Sequence, residues 1–454
     1  MGIIEQTLNQ LNQKARVRLA MPGHKGRIEV DGRLDMTELL GLDNLQDPQG
    51  ILREAQDAAA ALYEVPFARY LVNGSSSGNL TLFFTFFQEG DRVLLDRNCH
   101  RSVYHALMLR KITPVFLPPR VAPDGRVLPV TARQVEEALC HESSLRGVFL
   151  TLPTYSGFIG DAQGIHAVTQ RFGVPLLLDA AHGAHLWGMP SHRSFYSACE
   201  ALVMSLHKTL RCLNQGALIL WQDANVSEAL LNYSNMFQTS SPSYLLLASM
   251  ERSLEELGQG AYARPPEPLD AIHRHYRINP PVPGEAQDPW KWNLCRRGAG
   301  EAMAAWLRDK GIYAEMHDAH RVLLMASPWN TGEELQYLKE QLNALDEAMA
   351  GWALPIEDFP EAGFGRIPER VYPPWSVGAS YELLPLAEAV GRIAQALVIP
   401  YPPGVPLLIP GERISQEVAE ELIQWQTAGS ALLGISGGKI RVMKEEAHGI
   451  FDRH

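Results

Sequence analysis

The sequence predicts an α/β protein: a mainly parallel seven-stranded sheet in a large domain, followed by a smaller α+β C-terminal domain. Three observations carry this. From about residue 70, short apolar runs alternate with amphipathic segments, the pattern of strands joined by crossover helices. The runs are nearly continuous in apolar residues, as in strands buried on both faces. Polar clusters directly follow several of the runs, and open parallel sheets place their chemistry at such strand ends.

The elements follow in order. Residues 1–50 read as an arm: a helix over Ile3–Ala15, then a glycine- and charge-rich stretch with turn signals that packs along another surface. A helix covers 51–63. The expected strands are Ala68–Val72, Arg92–Asp96, Thr113–Leu117, Gly147–Thr151, Pro175–Asp179, Ala201–Ser205 and Gly216–Trp221, with helices such as Gly78–Phe87, Thr131–His141 and Ile165–Phe172 between them. Residues 242–257 form a further helix, and the proline-rich stretch Pro265–Pro289 reads as a linker or surface loop. The large domain is taken as 51–289 and the small one as 290–454. The small domain is expected to run helix, strand (Val322–Ser327), helix, a second proline-rich segment at Pro355–Pro374, and a helix at Leu384–Leu397.

Composition narrows the function classes. The chain has 454 residues, 40 basic and 51 acidic side chains, 46% hydrophobic residues and a net charge of −11. That is ordinary for a globular protein and argues against nucleic-acid binding, which needs a basic surface. No apolar run approaches a membrane span, and the N-terminus lacks a signal-peptide core. Five scattered cysteines without a CxxC pair suggest reduced thiols and a cytoplasmic location. Lysine chemistry has few sources, because only nine lysines occur.

Four local signals bear chemistry. Ser205-Leu-His207-Lys208 follows an apolar strand, so Lys208 stands where an amine could form a Schiff base with a carbonyl cofactor; a surface lysine after a strand is the plain alternative. Asp179 ends the run Val-Pro-Leu-Leu-Leu, where a carboxylate needs a charged or hydrogen-bonded partner. A protonated pyridine nitrogen is one such partner; a metal held by Asp179, His182 and His185 is the rival. Val72-Asn-Gly-Ser75-Ser76-Ser-Gly lies between a strand and a helix and suits a phosphate, or merely caps the helix. His100 follows another strand and could stack on a cofactor ring, or be structural.

Taken together these four functions are the needs of pyridoxal phosphate. With Met21-Pro-Gly-His24-Lys25-Gly26, Thr239-Ser-Ser-Pro-Ser-Tyr244, Leu307–Glu315 and Pro400–Pro406 with Pro410-Gly-Glu412, the chain resembles the Orn/Lys/Arg decarboxylases of the aspartate-aminotransferase fold (fold type I), in the compact form without an N-terminal wing domain. The resemblance runs from about residue 16 to 425. It implies Lys208 as the Schiff-base lysine, His207 beside it as a proton donor or carboxylate neighbour, His100 as the stacking ring and Asp179 as the partner of the ring nitrogen. It implies Ser75, Ser76 and Ser205 near the phosphate and Ala181 as an apolar wall. Thr239 would reach the phosphate of a neighbouring subunit, hence a homodimer with shared sites. Glu315 would meet the distal cation of a basic amino acid, with Asp288, His24 and Lys25 as further substrate neighbours; the remaining seven lysines read as surface residues. Ala180, where many relatives carry Glu, and Asn214-Gln215 depart from the pattern. The implied activity is decarboxylation of arginine, then lysine, then ornithine, to a polyamine precursor. An aminotransferase or lyase of the same fold, or an inactive cofactor-binding relative, is the alternative.

Overall fold

A computed structural model describes residues 2–267, 269, 273–352, 365–401, 404–427 and 431–444. Its centre is a seven-stranded sheet of β1 (Phe67–Leu71), β2 (Arg92–Asp96), β3 (Thr113–Leu117), β4 (Leu145–Thr151), β5 (Leu176–Asp179), β6 (Ala201–Ser205) and β7 (Ala217–Trp221). The spatial order is β1-β7-β6-β5-β4-β2-β3. The β6-β5-β4-β2-β3 pairs are parallel, and only β7 runs against its neighbours β1 and β6. The expected strands are all present with ends shifted by at most two residues.

Side chains alternate across this sheet. Leu94, Val148, Leu150, Leu176, Leu178, Leu202 and Met204 enter one core. Val93, Leu95, Phe149, Leu177, Ala201 and Val203 enter the other. Both faces are therefore covered, which is why the strands read as unbroken apolar runs. The helix Gly74–Phe86 crosses one face. It approaches closely because residue 78 is glycine: a Cβ there would lie 2.3 Å from Val203 Cγ2. It starts four residues before the expected Gly78, because the serine-rich turn is itself its first turn.

Backbone contacts tie the arm to both the small sheet and the strand-end region. Val17–Leu19 pairs in parallel with Ile312–Ala314, and the Gly23 amide donates to the His207 carbonyl. Part of the supposed loop 265–289 is strand: Arg277–Ile278 pairs with Lys291–Cys295, which pairs with Arg321–Met325. Helices Gly300–Asp309 and Gly332–Met349 cover that sheet. Residues 386–442 build a separate apolar cluster around Leu386, Val398, Leu408, Leu422 and Val442.

The expected helix Leu384–Leu397 is absent. Tyr381–Pro385 is a strand paired with Lys439–Met443, followed by a short 3-10 turn at Leu386–Glu388. Pro385 removes a helical donor, and Gly391 adopts φ +83°, outside the helical region. Burial of Ile393, Ala394 and Val398 is achieved through isolated bridges to Arg413, Val442 and Leu408. Parts of the proline-rich segments (353–364, 402–403) lie outside the described residues.

The C-terminal cluster is pinned to the large sheet by one buried ion pair. Arg97, just after β2, donates to Glu412 Oε2 at 3.1 Å and to the Pro406 and Leu407 carbonyls. Both side chains are under 4% exposed. Removing one partner strands a buried charge, so Glu412→Ala is expected to cost about 3–5 kcal/mol, read as a lowered urea midpoint. An unchanged midpoint would reject this role for the pair.

Candidate functional site

The carboxyl ends of β2, β4, β5 and β6 open onto one cavity of about 490 Å³. Its wall includes His100, Tyr155, Asp179, Ala181, His207, Lys208 and Glu315. Antiparallel β7 contributes at its start: the Gly216 carbonyl faces His207 Nδ1 at 3.0 Å, and the Gln215 carbonyl accepts from the Gly74 amide.

Lys208 is the third residue of the short helix Leu206–Thr209 that follows β6, with Nζ 3.4 Å from His182 Nε2. Burial lowers its pKa, while Asp179 and Glu315 act in the opposite sense. Burial raises the pKa of Asp179, opposed by Lys208, Asn79 and the Ala181 amide. Asp179 accepts from Asn79 Nδ2 at 2.8 Å and from the Ala181 amide at 3.0 Å. Asn79 also donates to Ser102 Oγ at 2.9 Å, and Ser102 Oγ stands 2.9 Å from His100 Nδ1. One hydrogen-bonded chain thus fixes both His100 and Asp179. Burial drives His100 down to about 3 and His207 down to about 4, so both imidazoles are neutral at physiological pH.

Ser205 Oγ donates to Ser75 Oγ at 2.8 Å. The helix Gly74–Phe86 begins there without a side-chain cap, so first-turn amides of Ser75 and Ser76 remain for an anion. Thr239 is exposed and its hydroxyl accepts from the Ser241 amide; it does not line this cavity.

Glu315 is held by neutral donors, the Met21 amide at 2.8 Å and Tyr155 Oη at 2.7 Å. The arginines of the wall are each matched by a carboxylate: Arg97 by Glu412, Arg120 by Glu285 and Arg321 by Asp318. The wall therefore leaves the Glu315 carboxylate without a cationic partner of its own within ion-pair distance among the described residues.

Several expectations change here. Asp288 is fully buried, does not line the cavity, and faces His185 Nε2 at 3.0 Å; it is a partner of that histidine rather than a substrate neighbour. His185 is thereby turned from His182, which faces Lys208, and among the described residues no group of His, Cys, Asp or Glu is placed to hold a metal ion. His24 and Lys25 are not in the wall. Lys25 is buried, donates to the Ala20 carbonyl at 2.7 Å, and is lowered to about 7 by burial. Lys291, taken for a surface lysine, is 1% exposed; burial lowers it to about 8. The sequence reading missed Asn79, Tyr155 and Asp96, and saw His182 only as a metal ligand. Burial pushes Asp96 up to about 7, against the Thr151 amide. Asn79, four residues after Ser75 and the one amide side chain of that helix, was the available signal.

The residues present fit pyridoxal phosphate. A buried carboxylate with only neutral hydrogen-bond donors fits a cationic nitrogen, an uncapped helix start with paired hydroxyls fits a phosphate, and a buried lysine lines the same cavity as the carboxylate. The cavity leaves a carboxylate for a second positive group.

Residues 31–261 match the Orn/Lys/Arg decarboxylase major domain, and 374–431 match the C-terminal domain of that family. The chain is 33% identical over 411 residues to the uncharacterized protein YaaO of Bacillus subtilis, covering 86% of this chain and 85% of that one. It is 27% identical to an arginine decarboxylase of the same organism over 95% of both chains. The constitutive lysine decarboxylase structure from E. coli superposes with a TM-score of 0.75 at 22% identity, covering 91% of this chain and 75% of that one. The chain belongs to the Orn/Lys/Arg decarboxylase family; it is an amino-acid decarboxylase of the fold type I class whose cofactor is pyridoxal phosphate.

Proposed function

We propose that this family member removes the α-carboxylate of a basic amino acid, arginine before lysine and ornithine. The observation that carries the reading is one cavity whose wall holds both buried Lys208 and Glu315, a carboxylate with no cationic partner within ion-pair distance among the described residues. The arginine preference rests on similarity to the Bacillus arginine decarboxylase. Bound at this site, pyridoxal phosphate supplies the electron sink that accepts the bonding pair as carbon dioxide departs.

The protein's residues do the rest. Lys208 Nζ, buried in the cavity wall, would hold the cofactor's carbonyl carbon, and its lowered pKa favours the neutral amine that such an attachment needs. Asp179 holds a proton on the ring nitrogen, and the Asn79–Ser102–His100 chain holds both the carboxylate and the stacking imidazole in place. Ser75, Ser76, Ser205 and the helix start bind the phosphate, and Ala181 closes one side of the ring. After carbon dioxide leaves, Lys208 Nζ returns a proton to the α-carbon; His207, neutral and with Nδ1 donating to the Gly216 carbonyl, serves as a neighbour of the substrate carboxylate rather than as the donor. Glu315 would pair with the distal ammonium or guanidinium and so orient the substrate in the cavity. Thr239, exposed and away from its own cavity, suits contact with the phosphate of a second copy, giving a two-fold dimer. His24 and Lys25 position the arm behind Glu315 rather than touch substrate. A cytoplasmic role in making polyamine precursors fits this chemistry; among the described residues no helix is long and apolar enough to cross a membrane.

The test is product analysis with arginine, lysine and ornithine: amine and carbon dioxide are expected in equal amounts without any keto acid. A requirement for a keto acid would favour an aminotransferase. Glu315→Gln is expected to raise KM for the preferred substrate about tenfold or more with a smaller change in kcat, since one charge-assisted contact is lost.

A further inference from the structure

The loop after β4 places one aromatic residue between the two ends of the cavity. Tyr155 lines the cavity. Its hydroxyl donates to Glu315 Oε1 at 2.7 Å. Its ring meets the His182 ring edge-on, with centroids 5.0 Å apart and planes at 75°. His182 in turn stands 3.4 Å from Lys208 Nζ. Tyr155 and His182 together therefore bridge Glu315 and Lys208 along the cavity.

The position of Tyr155 is built rather than incidental. The buried Lys291 ammonium donates to its backbone carbonyl at 3.1 Å, and Asp288 faces Lys291 from the same loop cluster. The turn closes with the Gly157 amide on the Thr154 carbonyl. It requires Gly157 at φ +100°, where a Cβ would touch the Lys291 side chain at 3.0 Å. Arg321 clamps the neighbouring Ser156 hydroxyl at 2.7 Å. Two buried cations thus each give a hydrogen bond to this loop.

We infer that Tyr155 is a specificity-determining residue: its ring lies along the aliphatic chain of a basic amino acid and its hydroxyl sets the depth at which Glu315 receives the distal cation. This rests on the decarboxylase reading with Glu315 as the cation's partner. An aromatic face also attracts the cation itself. A rigid ring between the two ends acts as a gauge of chain length, because the distance from Lys208 to Glu315 is matched by one number of methylenes better than by others.

The experiment measures kcat and KM of wild type, Tyr155→Phe and Tyr155→Ala on arginine, lysine and ornithine, using the cofactor-loaded enzyme. The visible absorbance of the lysine-bound cofactor checks that each variant is intact. Tyr155→Phe keeps the ring and frees Glu315; KM for the preferred substrate is expected to rise about tenfold, with kcat within about threefold. Tyr155→Ala is expected to shift the ratio of kcat/KM between the longest and shortest substrates by more than about tenfold. Unchanged KM in Tyr155→Phe together with an unchanged substrate ratio in Tyr155→Ala overturns the inference while leaving the decarboxylase reading intact. A wild type that releases carbon dioxide from none of the three overturns that reading, and this inference with it.

Discussion

Lys208→Ala is expected to lower kcat/KM by about 10⁴-fold or more and to remove the visible absorbance of the lysine-bound cofactor. Two functions fall together, the covalent attachment and a proton delivery that by itself contributes roughly 10²–10⁴-fold. The structure gives the amine a specific environment for this. Burial lowers its pKa, so more of it is the neutral nucleophile at neutral pH than for a lysine in water. Asp179 and Glu315 limit that shift, which keeps the ammonium available to give a proton back. Lys208→Arg restores a cation beside Asp179 but not a nucleophile, and is expected to fail as completely. Turnover by Lys208→Ala at the wild-type rate would remove the residue from its role. Loss of activity with the absorbance retained would assign the attachment to another lysine, and the buried Lys291 and Lys25 are the ones to examine.

Asp179→Asn is the second large effect. The substitution keeps the shape and removes the charge. A cationic ring nitrogen in a fully buried site would then lack its counter-charge, a loss of about 3–5 kcal/mol for a broken buried pair. That corresponds to roughly 10²–10⁴-fold in kcat/KM. The expected signature is a drop in kcat with cofactor still bound, because the phosphate is held elsewhere, at the start of helix Gly74–Phe86. A kcat within a few-fold of wild type would reject the assignment and leave Asp179 a buried partner of Asn79 alone.

The sheet and the ends of its strands were legible in the sequence because both depend on local pattern. A strand buried on two faces reads as an apolar run, and Asp179 and Lys208 interrupt such runs at their ends. What was illegible depends on contacts distant in sequence. Tyr155 looks like any loop tyrosine until Glu315, 160 residues later, accepts its hydroxyl. Lys291 reads as a surface lysine because nothing local says that the Tyr155 carbonyl will take its ammonium. The histidines of Ala180-Ala-His182-Gly-Ala-His185 are adjacent on the page, yet the turn at Gly183 sends one to Lys208 and the other to Asp288. The segment 384–397 has helical composition, and tertiary pairing with Arg413 and Val442 overrides it.

The pair formed by Arg97 and Glu412 joins positions 315 residues apart. A ribosome adds about 5–20 residues per second, so Arg97 leaves the tunnel roughly 15–60 s before its carboxylate exists. During that interval β2 and the sheet can assemble, but one wall of the cavity carries an uncompensated guanidinium, and the C-terminal cluster that supplies Val405 to the same wall is missing. The newborn chain therefore reaches a foldable sheet well before it reaches a closed pocket. The wall of the pocket is complete only once the segment around Val405 and Glu412 has been made.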